Sequence, residues 1–528
     1  MSSRSDIARS AGVVSIMTLA SRILGLIRDI SFAYFFGAVT SADAFFVAFR
    51  IPNLLRRLVA EGAMSSAFIP VFTAYHTKYG DEEAKKVSDI TFTYLLITLL
   101  ILSVLGVIFS KELIYLFAPG FELHPEKFRL TVTLNRIMFP FILFVSIVAL
   151  CMGLLNSLKH FFVPALSPII LNLSIITFIL IANHGPHAIL IVASGVLVGA
   201  ALELVPQLIL MRKKGFMFSL NFDYRHPALR ESLFLFLPMM FGAAVYQLNV
   251  FVSNVLASFL KTGSISYLYY ASRLFEFPQG IFAVSIAIAA LPAMSRDTAT
   301  AGVSKLKDSL LFSLNLLNFV TVPATVGLII LARPIIDVLF HRGSFSLSDT
   351  MAVSSALIFY AAGLWSVAFS RVITQAFYAL KDAKTPVIIA FFTVIINLLL
   401  SVWLMNTMEY RGLALATSIS AYFNTFYLLY ALRKKIGKIG LKAISVSFAK
   451  AFTASGIMGA IIALVFKNIM LLHTHYSGLR LAFLLLLAIL LGIASYGVVS
   501  YLLRTQELKD GLAILKRKLV NPKNAFEK

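Results

Sequence analysis

The sequence predicts an all-α polytopic membrane protein of about fourteen transmembrane helices, built as two pseudo-symmetric six-helix lobes plus a C-terminal helix pair. Three observations predict it: the composition, a series of apolar stretches of spanning length, and a self-repeat. Of 528 residues, 59% are hydrophobic and only 13% charged, with a mean hydropathy of +0.88. An ordinary soluble domain carries roughly 25% charged residues, so soluble and disordered classes are excluded. The formal net charge of +22 would suggest nucleic acid in a soluble protein. Here basic loops on one membrane face account for most of it, and no nucleic-acid partner is expected. The single cysteine, Cys151, excludes a disulfide framework, and with scattered histidines a structural zinc module is not expected.

The elements follow in order, each a stretch of roughly 20 apolar residues. The first, near 11–36, follows Arg4 and Arg9 and begins like a signal peptide. The apolar stretches after it make it an uncleaved first helix. The second, near 43–72, is interrupted by Pro52, Asn53, Arg56, Arg57 and Glu61. Spans near 88–112, 129–157, 161–183 and 188–211 complete the first set. A second set lies near 232–259, 263–295, 308–332, 350–379, 386–406 and 411–432, and a final pair near 446–467 and 478–503. The corresponding domains are 1–220, 221–440 and 441–528, the last ending in a basic tail. Pro52, Pro140, Pro238, Pro278 and Pro323 fall inside spans and are expected to bend or break them.

Loop charge sets the orientation. With the N-terminus inside, cytoplasmic segments carry about three times as many Lys and Arg as external ones. The main inside clusters are Arg212-Lys213-Lys214, Arg433 to Lys442, and the tail from Arg504. An even helix number puts both termini in the cytoplasm. The repeat is read from Leu158-Lys159 with Pro164, which recur as Leu380-Lys381 with Pro386, and from Pro70, which recurs as Pro292, all offset by 222. Ser41-Ala42-Asp43 through Arg50 aligns with Ser264-Ile265-Ser266 through Arg273, offset by 223. Six helices separate equivalent points, so the copies share one orientation.

The chemistry lies in basic residues within spans: Arg22, Arg28, Arg50, Arg56, Arg57, Arg136, Arg273, Arg371 and Lys450. The first five belong to the first two spans. At about 2.5–3.5 kcal/mol each, five arginines at mid-bilayer would cost on the order of 12–17 kcal/mol, less whatever snorkelling and pairing recover. They must face water, counter-ions or an anionic ligand. Asp29, Asp43 and Glu61 are counter-ions in the same spans, so a set of structural ion pairs is one reading. Three carboxylates do not neutralise five guanidiniums, and the remainder favours a polyanion held by bidentate arginine. Arg22 and Asp29, seven apart, share a helix face and are the expected internal bridge, leaving Arg28 as a ligand candidate. Arg273 and Glu276, three apart, can pair. Asn249, Asn254, Asn397, Ser401 and Thr417 could line a cation site but more often such residues are interhelical hydrogen-bond glue. The sequence holds no nucleotide-binding loop or metal-binding His/Glu motif, and the histidines fall at span ends or in loops. No catalytic role, cofactor or metal is expected.

Ser21-Arg22-Ile23-Leu24-Gly25-Leu26-Ile27-Arg28-Asp29, then Pro52-Asn53-Leu54-Leu55-Arg56-Arg57 with Ala60-Glu61-Gly62-Ala63, resembles the MurJ (MviN) lipid II flippases. Tyr269-Tyr270-Ala271-Ser272-Arg273-Leu274 with Glu276-Phe277-Pro278 is similar to the same family. That family sits in the multidrug/oligosaccharidyl-lipid/polysaccharide exporter superfamily, and the resemblance runs over nearly the whole chain. It implies movement of lipid II from the inner to the outer leaflet of the bacterial plasma membrane. The family's central-cavity arginines fall on Arg22, Arg28, Arg56 and Arg273, and its acidic positions on Asp29, Asp43, Glu61 and Glu276. Ser272 departs from an Asp found in some relatives. The resemblance further implies a lipid-tail groove formed with the last two helices. The expected mechanism is alternating access with the diphosphate head group on the arginines and the tail left in lipid, the membrane potential resetting the empty carrier. The membrane potential or an ion gradient is the expected energy source. An exporter of another lipid-linked saccharide or of drugs shares the fold; a membrane-embedded lipid-modifying enzyme is the alternative of a different class.

Overall fold

A computed structural model describes residues 2–58, 65–183, 185, 187–472 and 478–510 of the chain. The described residues are mainly helical, with no strand among them. Contacts divide the chain into two compact units, one of residues 1–266 with 342–346 and one of 267–341 with 347–528.

The first unit contains α1 (Ser2–Phe36), α2 (Thr40–Arg56), α3 (Ser65–Tyr79), α4 (Asp81–Ile108), α5 (Ser110–Phe117), α6 (Pro125–Met138), α7 (Phe141–Ser157), α8 (Phe162–Ala182), α9 (Ala188–Lys213) and α10 (Pro227–Ser258). The second contains most of α11 (Ser264–Pro278), then α12 (Val284–Ala301), α13 (Val303–Ile330), α14 (Ala332–Leu339), α15 (Leu347–Ala362), α16 (Leu364–Ala379), α17 (Lys384–Met408), α18 (Tyr410–Ile436), α19 (Leu441–Leu472) and α20 (Gly478–Leu502). Each expected apolar stretch falls on one helix or on two consecutive ones. Among the described residues nine helices are long and apolar enough to cross a membrane on those grounds alone, or ten if α15 and α16, bent by 40°, form one span. Pro140 stands at the break between α6 and α7, and Pro278 ends α11 at a wide π turn over Gln279–Ala283. Pro323, in contrast, lies inside an unbroken α13.

The repeat is visible in the backbone. α4 and α13 are both 28 residues long and α5 and α14 both 8, each pair offset by 222. Positive φ recurs at the same offset: Gly80 and Gly302 (84° and 72°), Gly215 and Gly437 (79° each), and Lys159 and Lys381 (61° and 58°). A lysine in the left-handed region is uncommon. At both sites it lets the chain turn off a helix end, where His160 N–H reaches Leu155 O at 2.8 Å and Asp382 N–H reaches Phe377 O at 2.9 Å. This six-to-one closure satisfies carbonyls that the helix terminus leaves without partners.

Each unit has its own apolar core. In the first, Phe68 and Phe72 of α3 pack with Leu150 and Leu154 of α7 and Met211 of α9. In the second, Leu310 and Leu314 of α13 pack with Phe369 and Phe377 of α16 and Leu432 of α18. α19 and α20 meet α13 through Met458, Ile462, Leu485 and Tyr496. Outward-facing residues such as Leu399 and Trp403 on α17 are well exposed and large, a surface suited to lipid rather than water.

Candidate functional site

The basic residues of the first unit rise from α1 and α2. Asp29 is buried, and the adjacent Arg28 turns onto its Oδ1 through Nη2 at 2.7 Å and Nε at 3.0 Å. Arg28 Nη1 also donates to Asn172 Oδ1 of α8 at 3.0 Å. Asn172 is held in turn by donating to Pro168 O at 2.8 Å. The bridge expected between Arg22 and Asp29 is not formed. Seven residues rise about 10 Å along a helix, and Arg28 covers the carboxylate without that reach. Arg22 is exposed on α1.

On α2, Arg56 Nε donates to Asn53 Oδ1 at 2.9 Å, and Arg50 Nη1 donates to Asn254 Oδ1 of α10 at 2.9 Å. Asn254 donates to Phe117 O at 2.9 Å. The helix then widens into a π turn at Arg57-Leu58. Glu61 lies outside the described residues. Arg56 is the basic group whose charge acts on Glu203, a carboxylate of α9 that is only 3% exposed. Sequence reasoning missed Glu203, although a lone glutamate in the middle of an apolar stretch was signal enough.

Asp43 is committed elsewhere than to the arginines. It is 1% exposed and accepts from Lys127 Nζ at 2.8 Å, Gly263 N–H at 2.8 Å, Ser266 N–H at 2.9 Å and Ser266 Oγ at 2.6 Å. It thereby caps the first turn of α11 with a full negative charge, where the helix dipole favours one. Lys127, itself 4% exposed, lies 4.1 Å over the Phe121 ring. Nothing in the local sequence around Lys127 ties it to a residue 84 positions earlier. Asp43 and Ser266 are repeat equivalents, and they meet each other.

In the second unit Arg273 pairs with Glu276 at 3.2 Å, as their spacing predicts, and donates to Tyr269 Oη at 3.1 Å with its guanidinium 4.9 Å from that ring. Of the polar residues that could line a cation site, Asn397 acts as interhelical hydrogen-bond glue, donating to Ser420 Oγ at 3.1 Å, whereas Thr417 returns its hydroxyl to Leu413 O within its own helix.

Asn53, Asn172 and Asn254, as neutral acceptors, help fix the direction of Arg56, Arg28 and Arg50, and Arg28 is paired with Asp29 as well. Of the acidic residues in α1 and α2, Asp29 pairs with Arg28 at 2.7 Å and Asp43 is committed to Lys127. Guanidiniums held in fixed directions are the chemistry of anion recognition.

The chain matches the family model described as lipid II flippase MurJ over residues 32–487. It is 34% identical over 499 residues to a probable lipid II flippase MurJ of Rickettsia prowazekii, covering 94% of this chain and 97% of that protein. A solved structure of lipid II flippase MurJ in an inward closed conformation is 33% identical, with a TM-score of 0.78, covering 93% of this chain and 98% of the other. An inward-facing multidrug transporter of the MATE family, in the MOP superfamily, shares the fold at 15% identity and a TM-score of 0.66, over 79% of this chain and 95% of its own. With a family match over most of its length, this chain belongs to the lipid II flippase MurJ family of multi-pass membrane transporters.

Proposed function

We infer that this protein is a flippase that carries lipid II from the inner to the outer leaflet of the bacterial plasma membrane. The observation that carries the reading, beside family membership, is a set of arginines aimed by neutral amides. Arg28 is held by Asn172 and Asp29, and Arg56 by Asn53, so their planar forks are fixed in direction. A diphosphate is a ligand that such forks bind bidentately.

In this mechanism Arg22, Arg28, Arg56 and Arg273 hold the diphosphate of the head group. Asp29 and Glu276 orient Arg28 and Arg273, Asp43 secures the start of α11, and Glu61 is the remaining acidic member of the set. The undecaprenyl tail stays in lipid, so the carrier avoids the cost of drawing it through a polar cavity. Alternating access exposes the site first inward, then outward, and the membrane potential, at about 2.3 kcal/mol per charge per 100 mV, returns the empty cationic carrier. No cofactor enters the cycle. Both termini lie in the cytoplasm, and the division at 220 and 440 into two lobes and a C-terminal pair belongs to the same reading.

The test is reconstitution of the purified protein in liposomes with labelled lipid II. Translocation of chemically unchanged lipid II supports the flippase. Covalent change of the substrate would make the protein a lipid-modifying enzyme. Transport of other lipid-linked saccharides or drugs in preference to lipid II would make it a different exporter of the superfamily.

A further inference from the structure

Away from the arginines, the second unit holds a cavity of about 530 Å³ where the end of α16, the start of α17 and the end of α18 come together. Its floor is apolar, with Phe377 and Ile389 buried. Tyr427 and Tyr430, well exposed and one helical turn apart, form one wall, and Lys434 and Lys435 close the rim. We propose that this cavity binds the headgroup of an anionic phospholipid, its phosphodiester on Lys434 and Lys435 and its acyl chains along the exposed apolar strip of α17 and α18.

Four features converge on that occupant. The site lies at the lysine-rich helix ends, the membrane face where anionic headgroups meet basic residues between helices. Apolar floor, aromatic wall and cationic rim reproduce in order the chains, interface and phosphate of a phospholipid. The strip that leads away from the cavity is exposed and apolar: Ile388, Phe392, Ile395 and Leu399 on α17, with Phe423 and Phe426 on α18. The one carboxylate lining the cavity is already committed. Asp382 accepts from Lys435 Nζ at 2.6 Å, Thr385 N–H at 3.0 Å and Thr385 Oγ1 at 2.8 Å, and these donors hold its carboxyl down to about 2. Lys434 is exposed and makes no ion pair among the described residues.

The repeat supplies an internal control. At the 222 offset, Arg212 and Lys213 stand where Lys434 and Lys435 do, but Val205 and Leu208 replace the two tyrosines and His160 replaces Asp382. Charge alone is common to both halves. The tyrosine wall and the braced lysine belong to the second.

The full-length protein would be equilibrated in detergent with equal phosphatidylglycerol and phosphatidylcholine, and retained lipid counted by native mass spectrometry. Wild type should retain phosphatidylglycerol at least threefold over phosphatidylcholine. Lys434→Ala, which disturbs no pair, should abolish that preference, Tyr430→Ala should lower retention of both lipids, and the R212A/K213A control should leave retention unchanged. Absence of a preference in wild type, full retention by Lys434→Ala, or an equal loss in the control would overturn the assignment.

Discussion

Asp43→Asn is the substitution whose outcome the structure constrains most tightly. Asparagine keeps one acceptor oxygen but loses the charge, and its amide must point a donor at groups that are donors themselves. Those are the Lys127 ammonium, the Gly263 and Ser266 N–H groups and the Ser266 hydroxyl. Lys127, 4% exposed, is then a buried cation with no counter-charge from Asp43. Breaking a buried pair in this way costs about 3–5 kcal/mol, roughly two to four orders of magnitude in the folded-to-unfolded ratio. Adding Lys127→Met removes the stranded ammonium, leaving a weakened cap on α11 worth about 0.5–2 kcal/mol. The double variant should therefore be more stable than Asp43→Asn alone. The assay is the fraction surviving heating in detergent, read by size exclusion, beside membrane abundance. An Asp43→Asn protein within about 1 kcal/mol of wild type, or a double variant as unstable as the two losses added, would refute the argument.

The arginines come next: Arg28→Ala, Arg56→Ala and Arg273→Ala should fail to complement a strain depleted of its own flippase. The Lys variants should complement only partly, because charge-assisted forks worth about 1.5–3 kcal/mol per bond are lost while charge remains; well-expressed Ala variants at all three positions supporting normal growth would sink the anion-site mechanism. The Asp382 carboxyl, held at about 2 against an ordinary 3.8 by Lys435 and Thr385, contributes stability above pH 4 that is lost as pH falls toward 2. Wild type should therefore exceed Asp382→Asn in unfolding midpoint at pH 6 and converge with it near pH 2, the gap being small because Lys435 is partly solvated. For topology, reporter fusions after Lys214 and Lys438 should read cytoplasmic and a fusion near His184 external; a reversal at any of them would break the helix order.

What the sequence made legible and what it did not divide along physical lines. Spans were readable because burying or bathing a helix in lipid demands a long apolar run whatever its neighbours do. The Arg273–Glu276 pair was readable because three residues along one helix fix both partners. Arg28 with Asn172, Arg56 with Glu203, and Asp43 with Lys127 were not readable. Each depends on which helices become neighbours and on which rotamer a long side chain takes. The Arg22–Asp29 expectation failed on the same ground: a shared helix face is necessary for a pair, but a nearer guanidinium wins it.

The duplication sharpens this division. Helix ends recur at the 222 offset even where residues differ, and Lys159 and Lys381 take the same left-handed conformation, because ends are closed by backbone hydrogen bonds that any sequence with the right turn can make. Side-chain chemistry is under no such constraint. The first half places Asp43 where the second has Ser266, and turns the pair into a contact between the two copies. It carries Arg28 and Asp29 on α1, while the second half carries tyrosines and a braced lysine near the end of α18. A repeated backbone therefore supplies two scaffolds whose charges are free to diverge. Transport of an anion tethered to a lipid needs that freedom, because its head and its tail ask opposite things of the protein.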